Sequence, residues 1–288
     1  MPSVYPDFYE AFSCRASACR HSCCRGWEID VDDATARLYR SLPGPLGEDL
    51  CAALEEDGEG VHFRLAADDR CPFLQPDGLC RLIRELGEEA LCDICALHPR
   101  FYQDVGDFEL CGLGLSCEAV CDLLLAEAGP LRFLVAETGQ ALTLPALLAR
   151  LGFAVSPEQL AFHPRPDREG YAALLTQFAQ TEPIDQLWPR QLEALGRDLD
   201  AVLSGAEDYA RRYDAGRYDR IFAYILYRQL ERLETWGLEA LLAYARRNAE
   251  FIFLQDAVRK DTAAVLRRWS EQIEYSTENV ALLLRLFA

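Results

Sequence analysis

The cysteines of this chain are confined to one region of its sequence. All twelve lie between Cys14 and Cys121, and the residues from there to Ala288 contain none. A chain of 288 residues, 50% of them hydrophobic, can bury a full core without disulfides or a metal. The cysteines therefore need an explanation of their own. They divide the sequence into a cysteine-rich region, residues 1–130, and a cysteine-free helical region, residues 131–288.

The beginning of the chain predicts a cytoplasmic protein. The segment MPSVYPDFYEAF has no basic region followed by an apolar one, and the sequence has no apolar run of about 18 residues that would predict a transmembrane segment. Because cytoplasmic thiols are kept reduced, a cysteine cluster in a chain of this size favours metal binding or redox chemistry over a disulfide framework.

The net charge of the chain argues against one class of partner. The formal charge is −18, whereas nucleic-acid binding depends on clustered Lys and Arg. We therefore expect no nucleic-acid partner. An acidic surface is compatible with a basic partner or a lysine-bearing substrate, and also with a role in solubility alone. The oligomeric state is left open.

The hydrophobic periodicity predicts a mainly α fold. After Asp30 and Asp33, the segment 34–42 predicts a helix with Leu38 and Leu42 on one face. Helices are also predicted over residues 81–91 and 118–128, and beyond residue 130 apolar residues three and four apart predict a helical bundle that ends with a helix over residues 273–287. We expect a loop-rich cysteine cluster-binding part packed against this bundle, as one compact unit.

The spacing of the cysteines predicts metal ligands. Cys71 and Cys80 flank a Pro-Asp-Gly turn signal that brings them together, and Cys92 and Cys95 form a Cys-x-x-Cys pair. Cys51, Cys111 and Cys121 are interpreted as packing residues instead. The predicted ligands are the nine cysteines in paired or clustered spacings: Cys14, Cys19, Cys23, Cys24, Cys71, Cys80, Cys92, Cys95 and Cys117.

The dispersion of these ligands favours an iron–sulfur cluster over zinc. Zinc sites commonly use two compact ligand pairs, whereas these cysteines extend over a hundred residues and include the neighbours Cys23 and Cys24. Zinc remains the alternative. His98, three residues after Cys95, is interpreted as a ligand, a proton carrier or a structural residue of its turn.

Three segments carry a family resemblance: FSCRASACRHSCCRGWEIDVD from Phe12, CPFLQPDGLCRLIRELGEEALCDICALHPRFY from Cys71, and ELCGLGLSCEAVCDLLL from Glu109. Together with WSEQIEYSTENVALLL from Trp269, they resemble the flagellin lysine N-methylase family. The resemblance implies methyl transfer from S-adenosylmethionine to lysine side chains of flagellin, with a [4Fe-4S] cluster. The nine cysteines above match the family's ligand candidates. The chain is short for the family and lacks the Cys-x-x-x-Cys-x-x-Cys loop of radical enzymes.

Methyl transfer to lysine requires a deprotonated amine held against the methyl donor. Tyr102 and Glu118, which lie beside predicted ligands, and His98 are the candidate catalytic residues, and Glu274 and Asn279 are further possibilities. Gly112-Leu113-Gly114 lacks the third glycine of a dinucleotide-binding loop, so a Rossmann-type site for S-adenosylmethionine is disfavoured. The alternative function is a non-catalytic module or scaffold that binds zinc or iron.

Overall fold

The chain divides into two compact units. The structure is a computed structural model that describes residues 1–58, 60–127 and 129–288. The smaller unit comprises Ser13–Phe101, and the larger unit comprises Met1–Phe12 with Tyr102–Ala288. The last three cysteines, Cys111, Cys117 and Cys121, lie in the larger unit. The division into a cysteine-rich and a helical region near residue 130 stays a prediction.

The smaller unit contains short helices and one hairpin around an apolar core. The side chains of Ile29, Val31, Tyr39, Phe63 and Phe73 are buried in this core. Strands β2 and β3 pair as an antiparallel hairpin. The elements are α1 (Asp33–Ser41), α2 (Gly44–Ala53), β2 (Leu54–Glu56), β3 (Val61–Phe63), α3 (Arg81–Leu86) and α4 (Asp93–Leu97).

A five-stranded mixed sheet lies in the larger unit, except that its strand β4 begins two residues before that unit does. The strands are β1 (Ser3–Pro6), β4 (Arg100–Val105), β5 (Phe108–Leu113), β6 (Arg132–Val135) and β7 (Gln140–Thr143). Their order is β4-β5-β1-β6-β7. β1 runs parallel to β5, with Ser3 opposite Glu109, and antiparallel to β6, with Tyr5 opposite Leu134, and β6 and β7 are antiparallel.

Helices make up most of the larger unit, which confirms the mainly α prediction. They are α5 (Glu118–Ala126), α6 (Leu144–Arg150), α7 (Pro157–Leu160), α8 (Arg168–Phe178), α9 (Leu187–Arg197), α10 (Leu199–Ala210), α11 (Ala215–Arg228), α12 (Leu233–Arg259), α13 (Thr262–Trp269) and α14 (Thr277–Phe287). Within the described residues, no helix is both long enough and apolar enough to cross a membrane.

Tyrosines of α11 join this helix to the sheet. The Tyr224 hydroxyl accepts a hydrogen bond from the Leu113 amide at 2.7 Å and donates one to the Leu113 carbonyl at 2.6 Å. The Tyr227 hydroxyl lies 2.7 Å from the carbonyl oxygen of Val4. Arg220, also on α11, is buried and forms an ion pair with Asp7. These contacts satisfy polar groups that would be costly to bury alone.

Several boundaries differ from the sequence predictions. The 81–91 helix ends at Leu86, because Gly87 adopts a φ of 94° that a helix cannot continue through. The closing helix is interrupted by a π-helical turn at Ser270–Glu274 before α14 begins. The 118–128 helix ends at Ala126, and residue 128 lies outside the described residues. The sheet was not predicted.

Candidate metal centre

The segment that contains the first four cysteines, Cys14 to Cys24, lies beside the Cys71–Cys80 hairpin. The Cys71 amide donates a hydrogen bond to the Cys24 carbonyl at 2.9 Å. Leu74 and Cys80 form an antiparallel bridge across the turn, which confirms the predicted hairpin. In this turn Gly78 has a φ of 80°, and a side chain there would meet the backbone of Ser17 at 3.2 Å. The segment between Cys14 and Cys19 therefore packs closely on the hairpin.

Five thiols of the smaller unit lie within electrostatic range of one another: Cys24, Cys71, Cys80, Cys92 and Cys95. After the hydrogen bond to Cys92 and burial, the charges of Cys92, Cys24 and Cys71 raise the pKa of Cys95. After burial, the charges of Cys24 and Cys92 raise the pKa of Cys80. The hairpin and the Cys-x-x-Cys segment thus bring cysteines from three separate stretches of the sequence into one neighbourhood. We call these five residues the thiol cluster.

Hydrogen bonds and burial give the cysteines of the thiol cluster different pKa values. A hydrogen bond from Cys23 lowers the pKa of Cys24 to about 7, and one from Cys95 lowers the pKa of Cys92. Burial raises the pKa of Cys71 to about 12. The hydrogen bond to Cys92, followed by burial, raises the pKa of Cys95. Hydrogen bonding between neighbouring thiols therefore favours the thiolate form of Cys24 and of Cys92.

None of the twelve cysteines is joined to another in a disulfide within the described residues. Cys71 and Cys92 are buried, whereas Cys14 and Cys23 are exposed to solvent. Within the described part of the chain, no three His, Cys, Asp or Glu side chains are arranged closely enough to hold a metal ion as they stand. Thiolates are soft donors suited to zinc and iron–sulfur clusters, so the donor set of the thiol cluster fits either centre.

The remaining cysteines have different surroundings. Cys51 is exposed on α2 and is not a packing residue, contrary to its interpretation from the sequence. In the larger unit Cys111 and Cys121 are buried, as their interpretation as packing residues implies, and the Cys121 thiol donates to the Leu115 carbonyl at 3.0 Å. Cys117 directly precedes α5 in the larger unit, where its charge raises the pKa of Cys121 after the larger effect of burial.

His98 lies in the smaller unit with its ring against Trp27, at a centroid distance of 5.9 Å. Its Nε2 atom is buried and has no hydrogen-bond partner among the described residues. Burial lowers the pKa of His98 to about 4, so the imidazole is neutral at pH 7. A neutral imidazole with an unused nitrogen can act as a ligand or accept a hydrogen bond, but a pKa this low makes it a weak base.

The other candidate catalytic residues lie in the larger unit. Tyr102 is 47% exposed on β4, and its hydroxyl lies 3.4 Å from that of Tyr9. Glu118 is buried in the first turn of α5. The carboxylate of Glu274 is fully buried and forms a 2.8 Å ion pair with Arg228. A carboxylate buried and paired in this way is not available to an incoming amine.

Asn279 has a structural role. Its side-chain oxygen accepts a hydrogen bond from the Glu182 amide at 2.8 Å, and its side-chain nitrogen donates to the carbonyls of Glu182 and Gln272. These contacts tie the loop before α9 to the start of α14. A side chain that is 2% exposed and hydrogen-bonded on both ends is not available to a substrate.

Sequence reasoning missed two residues beside the thiol cluster. The sequence drew attention to Leu38 and Leu42 on one helix face, but Leu38 is 42% exposed. The neighbouring Tyr39 is fully buried, and its hydroxyl donates to the Ala90 carbonyl at 2.7 Å. Asp32 was not singled out, yet its carboxylate accepts from the Thr35 amide at 2.9 Å and the Asp93 amide at 3.1 Å. An Asp before the α1 segment was a detectable capping signal.

Comparison with known proteins identifies relatives by sequence. The chain is 32% identical over 126 residues to a lysine-N-methylase of Salmonella typhimurium. The alignment covers 42% of this chain and 31% of that protein. A lysine-N-methylase of Salmonella choleraesuis shows the same identity and the same coverage of both proteins. The flagellar biosynthetic protein FliU of Salmonella muenchen is 31% identical over 126 residues, which cover 75% of that protein.

These matches cover different shares of the relatives. The aligned part of the chain spans about a third of the length of the two lysine-N-methylases and three quarters of the FliU protein. No protein-family model and no solved structure matches the chain. The coverage of the FliU protein, at this identity, is enough to assign the family. The chain belongs to the flagellin lysine N-methylase family.

Proposed function

We propose that this chain is a protein-lysine N-methyltransferase that uses S-adenosylmethionine to modify lysine side chains of flagellin and depends on a [4Fe-4S] cluster. The observation that carries the proposal is the thiol cluster, because it gathers five free cysteines within a chain of the lysine N-methylase family. The names of the relatives support lysine methylation and a connection to the flagellum.

The donor set supports a thiolate-bound centre. Cys24, Cys71, Cys80, Cys92 and Cys95 would supply the ligands from the thiol cluster, and Cys14, Cys19, Cys23 and Cys117 are the other candidates. When bound, a [4Fe-4S] cluster supplies iron that can accept electrons or bind oxygen and nitrogen donors of a small molecule. Zinc would supply a Lewis acid without redox chemistry, and it remains the alternative centre.

The substrate lysine must lose a proton, and side chains of this chain would assist by hydrogen bonding to the amine. A lysine must lose its proton before its nitrogen can attack a methyl group. His98 is neutral near pH 7 and its Nε2 has no partner among the described residues, so it can accept a hydrogen bond, although its low pKa makes it a weak base. In the larger unit, the exposed Tyr102 can orient an ammonium group by hydrogen bonding. Glu118 also carries a carboxylate, but its side chain is buried.

Methyl transfer can be measured directly. Anaerobically purified protein, flagellin and methyl-labelled S-adenosylmethionine are incubated, and labelled lysines are located by mass spectrometry. The proposal predicts label on flagellin lysines, and loss of that label in the double variant Cys92→Ser, Cys95→Ser. Lys260 is the only lysine of this chain, so self-methylation is limited to one side chain and is easily subtracted.

The variant Cys51→Ser is the matched control. It removes one exposed thiol outside the thiol cluster and is expected to retain both metal and activity. Absence of label on flagellin, with the metal centre intact, would contradict the enzyme proposal.

A non-catalytic metal-binding module is the second candidate function. The observation that favours it is the coverage of the relatives, since the aligned part spans only about a third of the lysine-N-methylases. A module of this kind would bind metal through the thiol cluster without transferring methyl groups. Stoichiometric metal together with an inactive chain would support it, and colourless protein that contains zinc would favour a structural scaffold.

A further inference from the structure

The sheet of the larger unit displays a group of tyrosines on its solvent side. Tyr5 lies on β1, Tyr9 follows that strand, and Tyr102 lies on β4. The ring centroids of Tyr5 and Tyr9 are 5.3 Å apart, and the hydroxyls of Tyr9 and Tyr102 are 3.4 Å apart. None of the three rings is buried, and Tyr102 is 47% exposed. We call these three residues the tyrosine face.

Carboxylates surround the tyrosine face. The Tyr5 hydroxyl donates a hydrogen bond to Glu10 at 2.8 Å. Ser3, two residues before Tyr5 on the same side of β1, donates from its hydroxyl to Glu109 at 2.8 Å and from its amide to Glu137 at 3.1 Å. Asp104 is exposed and lies two residues after Tyr102, so the two side chains share one side of β4.

Across the described residues, these carboxylates form no ion pair with an Arg, Lys or His side chain; they are Glu10, Asp104, Glu109 and Glu137. Two arginines, Arg100 on β4 and Arg132 on β6, share this side of the sheet. The four carboxylates outnumber them, so the tyrosine face is negatively charged beside its exposed aromatic rings.

This combination fits one class of ligand side chain. An ammonium group is attracted to the face of an aromatic ring and pairs with a nearby carboxylate, while the apolar stem of a lysine packs along the rings. The chain itself contains one lysine, Lys260, among 29 basic residues, so a second copy of this chain is a poor source of such a ligand. A lysine-bearing partner must come from another protein.

We propose that the tyrosine face, with Glu10, Asp104, Glu109 and Glu137, docks a lysine-bearing segment of a partner protein. This inference deepens the proposed function, because it names the surface that a lysine-bearing substrate would bind. Docking requires neither the metal centre nor a methyl donor. Its failure is therefore distinguishable from a failure of methyl transfer.

Binding of a defined peptide tests the inference. The probe is a fluorescein-labelled Gly-Ser peptide with several lysines, titrated with the full chain at low salt and without S-adenosylmethionine. We expect saturable binding that weakens as salt is added. The same peptide with glutamine in place of each lysine should bind at least about tenfold more weakly, because it offers no charge to rings or carboxylates.

Two independent variants locate the binding surface. Tyr102→Leu removes an exposed ring, and Glu10→Gln combined with Asp104→Asn removes two charges; each should weaken the lysine peptide about three- to tenfold. The control Glu207→Gln with Glu239→Gln removes two exposed charges from α10 and α12 and should leave binding within about twofold. Circular dichroism verifies that each variant is folded.

Either of two results would overturn the inference. One is the absence of saturable binding of the lysine peptide to the wild-type chain at millimolar concentration. The other is an equal loss of affinity in the control variant and in the two tyrosine-face variants, because that pattern would reflect net charge alone.

Discussion

The thiols of Cys92 and Cys95 have pKa values that are shifted in opposite directions. The spacing places both at the start of α4, where the Cys95 amide donates to the Cys92 carbonyl at 3.0 Å. The hydrogen bond between their side chains lowers the pKa of Cys92 and raises that of Cys95. A bound metal would replace the shared proton and hold both sulfurs as thiolates.

Replacement of this pair is expected to release metal. In the double variant Cys92→Ser, Cys95→Ser, two soft ligands of the thiol cluster become hydroxyls that bind zinc or iron poorly. Because metal binding and folding are coupled, the melting temperature of the metal-loaded protein should fall as well. Elemental analysis and thermal unfolding measure both effects. Cys51→Ser should resemble the wild type, and unchanged metal content in the double variant would refute the ligand assignment.

The charge of Asp185 makes a contribution to stability that depends on pH. Burial of its carboxyl opposes ionisation, but hydrogen bonds from Arg268 at 2.6 Å and from the Leu187 and Trp188 amides outweigh burial and lower its pKa. A pKa that is lower in the folded state than in the unfolded state means that the charge stabilises the fold. This stabilisation is fully present above the unfolded pKa of about 3.9 and is lost as pH falls through the folded pKa.

The variant Asp185→Asn should therefore be less stable than the wild type at pH 7, by about 0.5–1 kcal/mol for a partly exposed ion pair. The difference in unfolding free energy should shrink as pH falls below about 4. Urea unfolding at a series of pH values measures it. Glu193→Gln, which breaks the exposed pair with Arg197, is the control and should show a smaller effect. A difference that grows on acidification would contradict this prediction.

The helices of the larger unit contain one glycine that backbone geometry requires. Gly237 lies in α12 with a φ of 74°, where two helical segments meet at a kink. The sequence predicted a continuous bundle through this region, because apolar spacing does not reveal a left-handed residue. No neighbouring atom lies within 4 Å of a side chain built at this position. The constraint therefore comes from the backbone alone.

Substitution at Gly237 separates backbone strain from packing. Gly237→Ala should destabilise the chain by about 1–2 kcal/mol, because an L side chain disfavours this conformation. Gly205→Ala on α10 also meets no atom within 4 Å, but Gly205 has an ordinary helical φ. It should stabilise the chain by about 0.5–1 kcal/mol. Chemical denaturation of both variants measures these changes, and effects of the same sign would refute the explanation.

The sequence predicted those elements that turn residues or apolar periodicity define. The Pro-Asp-Gly turn predicted the Cys71–Cys80 hairpin, and periodicity predicted the helices α11 and α12. The sheet was not predictable in this way. Its strands have four to six residues, and β1 pairs with β5, whose partner residues lie more than a hundred positions away along the sequence. Such pairing depends on tertiary contacts.

At the scale of the whole molecule, the ligand set and the division of the chain near residue 130 both stay predictions. Spacing alone assigned Cys24, Cys71, Cys80, Cys92 and Cys95 as ligands, and the structure brings their thiols within electrostatic range. The tyrosine face was not predictable, because Tyr5 and Tyr102 are brought together only by the sheet. The packing of the cysteine-rich region against the helical bundle as one compact unit stays a prediction.

The proposed function depends on metal binding by the thiol cluster. This is tested by the iron, acid-labile sulfide and zinc content of protein purified without oxygen, together with its visible absorption spectrum. We expect iron and sulfide in equal amounts at the stoichiometry of a [4Fe-4S] cluster, in a brown protein. Protein that has neither iron nor zinc, with all its thiols titrating freely, would contradict it.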